Sequence, residues 1–108
     1  MKKFESKEME PKIAMISSAT EVINFRKQNP SATSEQMMSH VSKATREYKG
    51  ELAKIHAIAS AGKVVSIMEK HPRYTSREVL AELVKNIPEI EESILQQQRE
   101  LEEIKINK

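Results

Sequence analysis

Apolar residues return every three or four positions along most of the chain, the period of helices buried on one face. Ile13, Ile16, Ala19, Val22, Ile23 and Phe25 mark the first stripe, and Pro11 suits an opening turn, so the spacing predicts helix 1 over about 11–28. Asn29-Pro30 ends it, because the residue before a proline is pushed away from helical geometry. Thr33 and Gln36 then stand at capping-box spacing, with Ala32 and Met37 at the two staple positions. Helix 2 follows, with Met37, Met38, Val41 and Ala44 turned inward, and Gly50 closes the unit.

Beyond Gly50 the pattern changes. Leu52 to Met68 is apolar on nearly every side, and Ala53, Ala57, Ala59, Ala61 and Gly62 permit close backbone approach, so helix 3 is expected to be central. His71-Pro72 stops it, and Thr75 with Glu78 forms a second capping-box spacing, Tyr74 and Val79 taking the staple positions. Helix 4, about 76–86, is expected to bury Val79, Leu80, Leu83 and Val84. Ile87-Pro88 is then read as a break, with Pro88 in the first turn of helix 5. Ile87, Ile90, Ile94, Leu101 and Ile104 give helix 5 a short heptad-like stripe, with Gln97 at its one polar seam position.

A shift of 42 residues superposes residues 12–45 on 54–87, with ten of 34 pairs identical. Unrelated segments would share about two. Lys12 matches Lys54, Ile13 Ile55, Ile16 Ile58, Ala19 Ala61, Val22 Val64, Pro30 Pro72, Thr33-Ser34 Thr75-Ser76, and Lys43 Lys85. The expected fold is therefore all-α: a five-helix bundle or minimal helical solenoid built from two tandem helix-turn-helix-like repeats that share a central helix. A charged flexible segment (1–10) precedes a single helical domain (11–104), comprising repeat one (12–45), repeat two (54–87) and a C-terminal helix (88–104), and 105–108 form a frayed tail.

With 108 residues, 38% hydrophobic and 31% charged, the chain can build one modest core. It has no cysteine, hence neither a disulfide framework nor a thiolate nucleophile. Eighteen bases against sixteen acids, all of them Glu, leave a small net charge of +2. The charges are unevenly spread: 12–88 carries twelve bases and seven acids, and 89–108 three bases and six acids. Glu5, Glu8 and Glu10 occupy the place where a signal peptide needs an apolar run, and Lys54, His56 and Lys63 interrupt the least polar stretch. The expectation is a cytoplasmic protein that does not enter a membrane.

Chemistry-bearing patterns are few. His40, His56 and His71 lack the spacing of a helical metal pair, and no phosphate loop or nucleophile elbow occurs, so neither a metal, a cofactor nor a catalytic residue is assigned. Lys70, His71, Arg73, Tyr74 and Arg77 form the candidate anion or partner contact, with cations beside a helix N-terminus. Ile90, Ile94, Gln97, Leu101 and Ile104 form the candidate helix–helix interface. The capped segment from Thr75, the Glu-Val-Leu run 78–80, Leu83 and the Pro-x-Ile of 88–90 outline a helix-turn-helix that resembles the winged-helix DNA-binding families. That resemblance implies nucleic-acid binding, but Glu89, Glu91 and Glu92 stand where a recognition helix would meet phosphates.

The leading expectation is a small non-enzymatic helical protein-binding module or regulatory adaptor, self-associating through its C-terminal helix. The alternative is a helix-turn-helix-type nucleic-acid-binding regulator that uses the basic 70–77 segment.

Overall fold

The computed structural model describes residues 8–106, with side chains as far as Ile104. Of the expected N-terminal and C-terminal tails, 1–7 and 107–108 lie outside the described residues. Four helices follow one another: α1 (Pro11–Gln28), α2 (Ser34–Ala44), α3 (Glu51–Lys70) and α4 (Ser76–Ile106). No strand occurs among the described residues.

The two copies repeat each other down to single bonds. In the first turn, the Asn29 and Ala32 amides donate to the carbonyls of Phe25 and Asn29; in the second, those of His71 and Tyr74 donate to Ile67 and His71. Both capping boxes close. The Gln36 amide donates to Thr33 Oγ1 at 3.1 Å and the Thr33 amide to Gln36 Oε1 at 2.9 Å. Thr75 and Glu78 do the same at 3.2 and 2.8 Å. Each box satisfies two of the amides that a helix start leaves orphaned.

At the centre α1 and α3 lie side by side and parallel. Ser18 Oγ donates to the Ala57 carbonyl at 2.9 Å, and Ser60 Oγ donates to the Met15 carbonyl at 2.9 Å. Ser18 and Ser60 are equivalent across the 42-residue shift, as are Met15 and Ala57, so the two bonds are reciprocal. Ala14, Ala19, Ala53, Ala57 and Ala61 are all buried along this contact, which brings the backbones within reach of a serine hydroxyl. Toward the other end, Val22, Ile23, Val64, Val65 and Ile67 meet Met37 and Val41 from α2 and Val79 and Leu83 from α4 in one core.

This arrangement corrects the expected five-helix bundle or solenoid. Ile87-Pro88 breaks nothing: Pro88 lies inside one 31-residue helix. The prolines at 30 and 72 are each followed, three residues on, by a threonine that caps a new helix. No Ser, Thr, Asp or Asn follows Pro88 before Ser93, and 76–106 contains no glycine. With no cap to start another helix and no glycine to turn the chain, the bias against helix at Ile87 is outweighed by strong helix formers and by Ile90 and Ile94 packing inward.

The copies are two hairpins, α1–α2 and α3–α4, whose first helices pair, and α3 is the element that both copies contact. α3 touches α1, α2 and α4, yet it is not wrapped, since Leu52, Ile55 and Ile58 are 37–41% exposed. Val84, expected to be buried, is exposed as well.

Candidate functional site

Two surfaces gather the residues singled out by the sequence. The first is the basic end of the molecule, where α1 finishes beside the α3–α4 turn. Lys70, His71, Arg73 and Arg77 are exposed and Tyr74 is half-buried. The His71 and Tyr74 rings are stacked, with centroids 4.2 Å apart and planes 5° from parallel. A crevice of about 240 Å³ separates this turn from Ile23, Arg26 and Lys27 of α1.

Arg26 and Lys27 therefore join a cluster to which sequence reasoning did not assign them. The signal was the repeat itself: a parallel pairing offset by 42 residues sets Arg26 opposite Met68. Lys70, Arg73 and Arg77 make no ion pair among the described residues. The helix start beside them is already occupied, because the Glu78 amide is taken by Thr75. One face of Tyr74 is likewise covered by His71.

The second surface is a groove between α3 and α4, with a volume of about 930 Å³. Ile55, Ile58, Ala59 and Gly62 line it from α3, Ile90 and Ile94 from α4, and Lys54 and Lys63 also border it. A Cβ added at Gly62 would meet nothing within 4 Å. α4 runs antiparallel to α3, and Gln97 lines the groove together with Glu51 and Lys54 from the start of α3. With 31 residues against 20, α4 outruns its neighbour there.

The heptad-like stripe consequently splits in two. Ile94 is 6% exposed and Ile90 is partly buried against the core. From Leu95 to Ile104 every residue is exposed, and Leu101 and Ile104 stand 61% open to water. Missing from the sequence-based assignment were Ile55 and Ile58, which helix 3 was expected to bury. Their position off the alanine row that meets α1 was the available signal.

The histidines have local partners. His56 is buried, its Nδ1 donating to the Leu52 carbonyl at 2.9 Å. His40 stacks on Phe25 and sets Nε2 3.0 Å from Glu21 Oε1. Among the described residues, no three His, Cys, Asp or Glu side chains cluster as a metal ion requires. Burial pushes the Tyr48 hydroxyl above its ordinary value of 10.0, opposed by its hydrogen bond with Ser17 and reinforced by the Glu21 charge. No described helix is long and apolar enough to cross a membrane.

The helix-turn-helix outline does not survive in three dimensions. Its turn would lie at Ile87-Pro88, where α4 is continuous, and no described strand supplies a wing. No protein-family model matches the chain, and neither does a curated protein or a solved structure.

Proposed function

We propose that the protein is a non-enzymatic helical association module, an adaptor that pairs with a copy of itself through the C-terminal end of α4. One observation carries this reading: α4 continues past Ile94, its last buried residue among those described, and holds Leu101 and Ile104 in water at heptad spacing from Ile90 and Ile94. Fully burying a side chain of that size is worth about 1.5–3 kcal/mol, and a symmetric pair would bury four. Association also has to offset an estimated 4–15 kcal/mol of lost freedom, so a contact of this size needs groove residues as well and belongs to the reversible class.

Molar mass measured by sedimentation over a wide concentration range tests the reading. The chain should pass from monomer to dimer, and Leu101→Glu with Ile104→Glu should hold it monomeric with its helix content intact. A wild-type monomer at every concentration, or a dimer indifferent to both changes, would overturn the proposal.

A second reading rests on Arg26 and Lys27, which border one crevice with His71 and Tyr74 of the turn that also carries Lys70, Arg73 and Arg77. Five cations at one end suit the phosphates of a nucleic acid. Affinity for duplex DNA or RNA should then fall steeply with salt, and the slope should flatten in an Arg73→Ala, Arg77→Ala variant. Absence of binding at low salt would eliminate it.

A further inference from the structure

We infer that the dimer is antiparallel, and that the projecting end of α4 in each copy lies in the α3–α4 groove of the other. The inference rests on the self-association reading above and adds to it the surface that receives the helix. The stripe on α4 occupies 87, 90, 94, 97, 101 and 104, whose steps of three and four read the same in both directions. A second α4 running the opposite way therefore keeps its apolar row in register. At a rise of 1.5 Å per residue, both 97–104 and 87–94 span roughly 10 Å, so the bare half of one stripe matches the groove half of the other.

Leu101 of the second copy then falls beside Ile90 and Ile58, and its Ile104 near Gly62, where the groove holds no side chain. A glycine in mid-helix weakens its own helix. The space it leaves opens into this groove. Charge distinguishes the orientations only through the tail: between 97 and 104 it carries Glu100, Glu102 and Glu103 against a single Arg99, whereas the groove is balanced, with Lys54 and Lys63 against Glu51 and Glu89. A parallel pair would instead set the two acidic tails side by side and leave both grooves empty. The antiparallel contact is isologous, the same patch serving as guest and host, and so closes at two copies.

Because the chain has no cysteine, single-cysteine variants report the orientation directly. Ser93→Cys and Glu100→Cys chains, mixed in equal amounts and mildly oxidised, should yield the mixed 93–100 disulfide far beyond the roughly twofold excess over each homodisulfide that random pairing alone gives. Gly62→Gln should fold with at least the thermal resistance of the parent, yet raise the dimer dissociation constant tenfold or more by filling the groove. A dominant 100–100 disulfide, or a dimer unaffected by Gly62→Gln, would overturn the groove assignment and leave self-association standing. A monomer at every concentration would remove both.

Discussion

Ser18 and Ser60 are fully buried, and each hydroxyl reaches a carbonyl of the opposite helix. A buried hydroxyl without a partner is costly, so these side chains favour the one offset between α1 and α3 that satisfies both. Ser18 Oγ also lies 3.1 Å from the Met15 carbonyl that Ser60 uses, which couples the pair. Ser18→Ala and Ser60→Ala should each lower stability by about 1 kcal/mol in urea unfolding. In the double variant the two losses should fail to add, because both hydroxyls share an acceptor. The sequence shows these serines as one of the ten identities of the repeat; that they bond reciprocally depends on a parallel pairing, which residue spacing alone does not specify.

At the scale of elements, the chain was most legible where a stop and a start stand together. Asn29-Pro30 with Thr33, and His71-Pro72 with Thr75, place helix ends that the structure reproduces at Gln28 and Ser34, and at Lys70 and Ser76. Pro88 was misread because a proline only biases against helix, and no cap follows it to begin another. A proline in a helix interior is about 3 kcal/mol less favourable than alanine, partly offset by the lower entropy it gives the unfolded chain. Pro88 is exposed, so Pro88→Ala removes no buried contact. That change should raise stability by roughly 1–2 kcal/mol in urea unfolding and leave the association constant nearly unchanged. A loss of stability would mean that the helix relies on the proline at that point.

For the molecule as a whole, the residues of the candidate interface were legible but their division was not. Ile90, Ile94, Gln97, Leu101 and Ile104 form one row in the sequence; which of them meet water depends on where α3 begins beneath α4. The basic end was half visible for a related reason, since Arg26 and Lys27 approach the α3–α4 turn only through the packing of α1 on α3. That packing also governs how the chain can fold. Its principal internal seam joins α1 to α3 through bonds between residues 39 and 45 apart, while each hairpin begins at a short turn, 29–33 or 71–75. Assembly therefore resembles a bimolecular encounter held on a short tether, the stretch between Thr45 and Gly50, which keeps the halves at high effective concentration. Lengthening the tether slows that encounter only gently, because closure entropy grows with the logarithm of loop length. Severing it would turn one folding reaction into a meeting of two fragments, whose rate depends on how many of each are present.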